Sequence, residues 1–229
     1  MRRVHALPLT VAPQEAPAPD EGMPEVPALD EGTPEVRVLA VCTANQCRSP
    51  MAEVLLARAL EARGVEAVVT SAGGLPGGVP ASAGSVKAMA RRGLDLRRHE
   101  SHQLTDDDLA GAHLVVCMAR RHAREAVVRH PRAWPRTFTL KELVRRGEAV
   151  GPRRPDQPLD AWLGELGVGR TRSELLGDDP LDDVDDPIGG PDAAYEATAA
   201  LLEDLVGRAI AVAFPAVITD AASRGAASA

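Results

Sequence analysis

The alternation of apolar and polar positions changes character near residue 37. Before it, residues 1–36 show no periodic apolar face, and prolines at 8, 13, 17, 19, 24, 27 and 34 interrupt any candidate helix or strand. Arg37-Val38-Leu39-Ala40-Val41 is then a short apolar run of the kind that forms a buried strand. Residues 42–49 read as a small-polar loop, and Pro50 is suited to open a helix. Ala52, Leu55, Leu56, Ala59 and Leu60 recur at helical spacing until Gly64 stops the pattern. A second strand is predicted from Glu66 to Thr70, leading into Ser71-Ala72-Gly73-Gly74. A helix over 81–92 ends at Gly93, and a third strand runs from Ala112 to Met118. An Arg-rich helix to about Arg129, a short strand over 136–140 and a helix to Arg146 follow. Residues 147–190 are loop-rich, with one helix near 159–166. The last helix starts after Pro191, with Ala194, Thr198, Leu201, Leu202, Leu205, Ala209 and Val212 as its stripe. Strands alternating with helices predict an α/β fold around a parallel sheet.

Composition sharpens this picture. The chain has 229 residues, of which 45% are hydrophobic and only 2% aromatic, so the core is built from Ala, Val and Leu. So few aromatic rings provide no stacking platform for single-stranded nucleic acid. The net charge of −7 also argues against a nucleic-acid binder. Residues 1–36 hold seven carboxylates against Arg2 and Arg3, so most of the acidity is in a Pro-rich tail. That tail repeats Asp20-Glu21-Gly22-Met23-Pro24-Glu25-Val26 as Asp30-Glu31-Gly32-Thr33-Pro34-Glu35-Val36. Pro8, Pro13 and Gln14 interrupt any signal-peptide core, and no apolar run reaches the roughly 18 residues of a membrane span. Three cysteines make no disulfide framework. The expected layout is a disordered tail over 1–36, one domain over 37–213 and a flexible end over 214–229. A cytoplasmic location without membrane partners is expected.

The chemistry concentrates in Val41-Cys42-Thr43-Ala44-Asn45-Gln46-Cys47-Arg48-Ser49-Pro50. A cysteine stands at the carboxyl end of a strand, where parallel sheets bind ligands. An arginine lies six positions on, just before a helix. Backbone N–H groups of such a loop, with the helix N-terminus, can surround one tetrahedral oxyanion. The Arg48 fork can hold two of its oxygens. The same positive field favours the Cys42 thiolate, a nucleophile for phosphoryl transfer through a cysteinyl-phosphate.

This loop resembles that of the low-molecular-weight protein tyrosine phosphatase family, whose pattern Cys-x-Gly-Asn-x-Cys-Arg-Ser-Pro it matches at every fixed position but Ala44. The resemblance runs from about Val38 to Ile210 and includes Thr70-Ser71-Ala72-Gly73 and Ser101-His102-Gln103-Leu104. It implies a four-stranded parallel sheet in the order 2-1-3-4, with helices on both faces and the phosphate loop after the first strand. It implies Cys42 as nucleophile and Arg48 as phosphate clamp, with Thr43, Ala44, Asn45, Gln46, Cys47 and Ser49 lining the substrate site. Asn45 would hold the loop in shape, Ser71 would support Asn45, and the Ser49 hydroxyl would stabilise the thiolate. Cys47 could form a reversible disulfide with Cys42 under oxidation. Cys117, in mid-strand, reads as core.

A phosphoryl transfer also needs an acid for the leaving oxygen. Asp183-Val184-Asp185-Asp186-Pro187-Ile188-Gly189-Gly190 looks like the family's Asp-Pro loop, with Tyr195 beyond it. Asp186 is the expected general acid and Asp185 the alternative. Three departures bear on specificity. Alanine at 44 would be strained if that position needs a positive φ. Ile188 stands where phosphotyrosine-directed members often carry an aromatic. Gln46 stands where phosphoarginine-directed members favour threonine. The 147–180 segment exceeds a minimal family member and is expected to act as a lid or partner surface. His99 and His102 are expected to decorate a loop. No metal or organic cofactor is expected. The substrate would be a phosphorylated protein or small phosphomonoester, acted on by a monomer or weak dimer. Thiol-dependent arsenate reduction and a non-catalytic oxyanion-binding module remain as alternatives.

Overall fold

The computed structural model describes residues 35–215, so the expected tails over 1–36 and 214–229 lie almost wholly outside the described residues. Strand β1 (Val36–Cys42) pairs in parallel with β2 (Ala67–Gly73), Val36 facing Ala67 and Cys42 facing Gly73. The strand thus takes in Val36, which the sequence had given to the tail. On its other side β1 pairs with β3 (Leu114–Cys117), and β3 with β4 (Thr137–Thr139), giving the order β2-β1-β3-β4.

The period-2 side-chain alternation of β1 divides the interior into two cores. Val38, Ala40 and Cys42 face one side, with Val116, Phe138, Leu55, Leu56 and Leu60. Leu39 and Val41 face the other, with Val115, Cys117, Leu109 and Ala123. The first core is covered by α1 (Arg48–Glu61), α2 (Ala83–Ala90), α5 (Leu140–Val150), α6 (Leu159–Leu166) and the long α7 (Asp192–Ala213). The second is covered by α3 (Asp106–Gly111) and α4 (Arg120–Arg129). Each buried Leu contributes about 1.5–3 kcal/mol of transfer free energy, which makes these two aliphatic layers the main cohesive force in a chain poor in aromatics.

The 147–180 segment differs from expectation. Part of it belongs to the core: Trp162, Leu163 and Leu166 of α6 are buried in the first core and Leu175 in the second, while Val168 stands exposed. Arg170 clamps it down. Its guanidinium lies 4.0 Å from the Trp134 ring centroid and 3.9 Å from that of Phe138. It donates to Glu142 Oε1 at 2.8 Å and to the Thr137 carbonyl at 2.7 Å. The segment therefore closes the β4 end of the sheet.

Candidate active site

Cys42 ends β1, and its Sγ lies in the first core, 2% exposed, at the foot of the loop. The loop is held from outside through its carbonyls. Thr43 O accepts from Leu75 N at 3.2 Å and Gln46 O from Ser82 N at 2.8 Å. Asn45 O accepts from His99 Nε2 at 2.8 Å. No hydrogen bond within the described residues uses the amides of Thr43 through Cys47. Carbonyls tied outward and amides left free are what a loop built to surround an anion requires. Helix α1 begins at Arg48, two residues earlier than the sequence suggested. It has no side-chain cap and no carboxylate in its first turn, so its dipole also faces the loop unopposed.

Asn45 makes the turn possible. Its φ of +53° is the one positive value outside glycine among the described residues. The expected strain at Ala44 is thus corrected: the left-handed position falls one residue later, on a residue type that tolerates it. The buried Asn45 side chain uses both its donors and its carbonyl oxygen. Nδ2 donates to Ser49 Oγ at 2.9 Å and Ser71 Oγ at 2.7 Å, and Oδ1 accepts from His102 N at 2.8 Å. Gly73 is bare where it meets the loop; a Cβ there would lie 2.7 Å from Asn45 N and 2.8 Å from Thr43 O.

A hydrogen-bond chain ends at Cys42 Sγ. Ser71 Oγ donates to the Glu53 carboxylate, so it accepts from Asn45. Asn45 donates to Ser49, and Ser49 Oγ donates to Cys42 Sγ at 3.0 Å. Because the Asn45 amide nitrogen can only donate, Ser49 Oγ accepts from it and keeps its own O–H for the sulfur. Ser71 and Ser49 sit where the sequence placed them; Glu53 was missed, because a carboxylate on an amphipathic helix carries no distinguishing sequence signal.

Arg48 is 1% exposed, a cation buried beside the thiol. Its Nη1 donates to Val184 O at 2.9 Å, and its Nη2 lies 2.5 Å from Asp186 Oδ2 and 3.3 Å from Thr43 Oγ1. Its Nε is buried with no protein partner. A donor left unmade in this way costs about 1–3 kcal/mol, so an oxyanion in the loop has a guanidinium N–H to satisfy. Asp186 reaches the site from the Asp-Pro loop, with its side chain 29% exposed. Ile188 stands outside it, 54% exposed. The Tyr195 hydroxyl accepts from Gly189 N at 3.3 Å.

Three histidines belong to the loop's frame. His99 does not merely decorate a loop, since its ring meets the Asn45 carbonyl; His102 acts on Asn45 through its backbone N–H alone, and its ring is half exposed. His102 also pairs its ring with Asp108 at 2.8 Å. His122, on α4, places Nε2 2.9 Å from Thr43 Oγ1. Burial, with Arg48 and Arg121 beside it, pushes His122 from its ordinary 6.5 down to about 3, so the ring is neutral. Their contacts span tens of residues, out of reach of local pattern. Cys47 Sγ lies 3.0 Å from Ser82 Oγ, and burial raises its pKa despite the Ser82 and Ser85 hydroxyls. Cys117 is fully buried as expected, and burial pushes its thiol up strongly.

The model of a family described as low molecular weight phosphotyrosine protein phosphatase matches residues 37–151. A probable low molecular weight protein-tyrosine-phosphatase of Ralstonia solanacearum, EpsP, is 39% identical over 106 residues, 46% of this chain and 71% of its own. A protein-arginine-phosphatase of Geobacillus stearothermophilus is 33% identical over 173 residues, 75% of this chain and 92% of its own. Among solved structures, the low molecular weight protein tyrosine phosphatase from T. tengcongensis matches with a TM-score of 0.58 at 33% identity, covering 77% of this chain and 98% of that one. The chain belongs to the low molecular weight phosphotyrosine protein phosphatase family, and its chemistry is that of a cysteine-dependent phosphatase.

Proposed function

We propose that this protein dephosphorylates phosphoproteins, with Cys42 as nucleophile, Arg48 as phosphate clamp and Asp186 as general acid. The observation that carries this reading is the thiol of Cys42 facing a loop of free amides, with the unpartnered Nε of buried Arg48 beside it. Phosphate oxygens take those donors. The Cys42 thiolate attacks phosphorus, forming the S–P bond as the bond to the leaving group breaks. Asp186 gives its proton to the departing atom. Water then attacks the cysteinyl-phosphate, Asp186 takes up a proton from it, and inorganic phosphate leaves as the thiolate returns. Thr43, Ala44, Asn45, Gln46, Cys47 and Ser49 line the phosphate, and Ser49 stabilises the sulfur.

The relatives' names include both a tyrosine and an arginine phosphatase. Exposed Ile188 offers no aromatic ring to a phosphotyrosine, and Gln46 departs from the threonine of phosphoarginine-directed members. Both features favour a substrate recognised mainly through its phosphate and its peptide. The arsenate alternative is not favoured: beyond Cys42 and Cys47 the chain's one further thiol, Cys117, is fully buried. The test is phosphate release from p-nitrophenyl phosphate and from phosphotyrosine and phosphoarginine peptides, by the protein and its Cys42→Ser variant. Turnover lost in the variant supports the reading. Turnover retained by Cys42→Ser refutes it.

A further inference from the structure

The acidic run of the Asp-Pro loop has a division of labour that the family reading does not contain. Helix α4 starts with Ala119 at its N-cap, which has no side chain to accept an amide, and its first turn carries two arginines. Both features are unfavourable at the positive end of a helix. The missing cap comes from elsewhere in the chain: Asp183 Oδ1 accepts from Arg120 N at 2.7 Å. Its other oxygen accepts from Asp179 N at 3.2 Å.

Asp182, 5% exposed, turns the opposite way. Its Oδ2 accepts from Arg120 Nε at 2.8 Å and its Oδ1 from Arg145 Nη2 at 2.7 Å. Burial pushes its carboxyl up, and the two guanidiniums more than reverse that, leaving it below the ordinary range. Lys141 Nζ holds the backbone between, donating to Pro180 O at 2.9 Å and Asp183 O at 2.6 Å. The next residue, Val184, is 2% exposed and is shared by both halves of the site. Its N–H donates to Met118 O, just past the carboxyl end of β3, at 2.8 Å, and its carbonyl receives Arg48 Nη1 at 2.9 Å. Asp186 follows two residues later.

Resting on the reading of Asp186 as the acid, we propose that Asp183 is a positioning residue for that acid. By capping α4 it fixes Val184 and so sets Asp186 over the leaving atom, with the Arg120–Asp182–Arg145 cluster as its brace. Removing the cap releases the loop on the side away from Arg48. The phosphate loop and nucleophile, held by other elements, keep their geometry. Arg48 can lose the Val184 carbonyl but keeps Thr43 Oγ1, so the defect falls chiefly on proton delivery.

Proton delivery matters for a poor leaving group and little for a good one. The experiment compares kcat/KM, which reports the step that expels the leaving group, on phenyl phosphate and p-nitrophenyl phosphate for the wild type, Asp183→Ala, Asp183→Asn and Asp186→Asn. Asp183→Ala is expected to slow phenyl phosphate by about tenfold or more while p-nitrophenyl phosphate changes by less than about threefold. Asp183→Asn keeps an acceptor for the Arg120 amide and is expected to restore most of the loss, which a general loss of stability would not mimic. Equal slowing of both substrates by Asp183→Ala, or no rescue by asparagine, overturns the proposal. Asp186→Asn reports on the underlying reading: if it lacks the leaving-group signature, the acid assignment falls, and this proposal with it.

Discussion

Acid sensitivity of the fold follows from His122. The ring is 1% exposed, bonded to Thr43 through Nε2, and flanked by the like charges of Arg48 and Arg121. Its folded value of about 3 lies below the ordinary 6.5. Between these values the unfolded chain binds a proton that the folded chain refuses. The stability this group contributes is therefore complete above about pH 6.5 and is lost as the pH falls towards 3. From the two values, lowering the pH from 7 to 5 withdraws about 2 kcal/mol. That corresponds to about 4–8 °C in melting temperature for a domain of this size. The assay is urea unfolding of the wild type and His122→Gln at pH 7 and pH 5. Glutamine offers Thr43 an acceptor and does not titrate. Carboxylates with depressed values, such as Asp108 and Asp182, act in both proteins and cancel. The wild type should lose about 2 kcal/mol more than the variant. The same pH slope in both would refute the reasoning.

Other expectations can be checked by simpler assays. Gly73→Ala forces a Cβ against Asn45 N and Thr43 O, backbone atoms that cannot swing aside; kcat/KM on an aryl phosphate should fall about a hundredfold, and the melting temperature by several degrees. Arg170→Ala leaves Glu142, 5% exposed, with Arg146 as its remaining ion-pair partner; the loss of about 3–5 kcal/mol should appear in calorimetry as a melting point lowered by about 10 °C or more. Ser49→Ala removes the one O–H directed at Cys42 Sγ; alkylation of Cys42 by iodoacetate at neutral pH should slow several-fold, with the far-UV spectrum unchanged.

How much could be read in advance depended on whether the cause was local. The strands were legible because each is a short apolar run, and α6 was legible at both ends, Leu159 and Leu166. The phosphate loop was legible because its chemistry needs consecutive residues. Helix α3 was missed. It buries only Leu109, so it has no stripe, and its one signal was the capping box between Thr105 and Asp108. The helix start at Pro50 was two residues late because the turn into α1 is made by the loop, not by proline. His99, His122 and Glu53 acquire their roles only when α1, α4 and the segment after α2 converge on one loop. What the sequence did not show in the 147–180 segment is that α6 packs into the core, because Arg170 looks like any surface arginine. Only the placement of Trp134 and Phe138 shows it to be a clamp.

That clamp also determines what the protein reports about itself. Its two tryptophans, Trp134 and Trp162, both sit in the part of the fold that Arg170 closes. One ring lies against the guanidinium; the other is buried, with its Nε1 donating to Gly151 O at 3.1 Å. Neither belongs to the loop after Cys42 or to the loop that carries Asp186. Indole fluorescence in this chain is therefore a gauge of whether the β4 end has assembled, and a titration of the site will need a different optical probe.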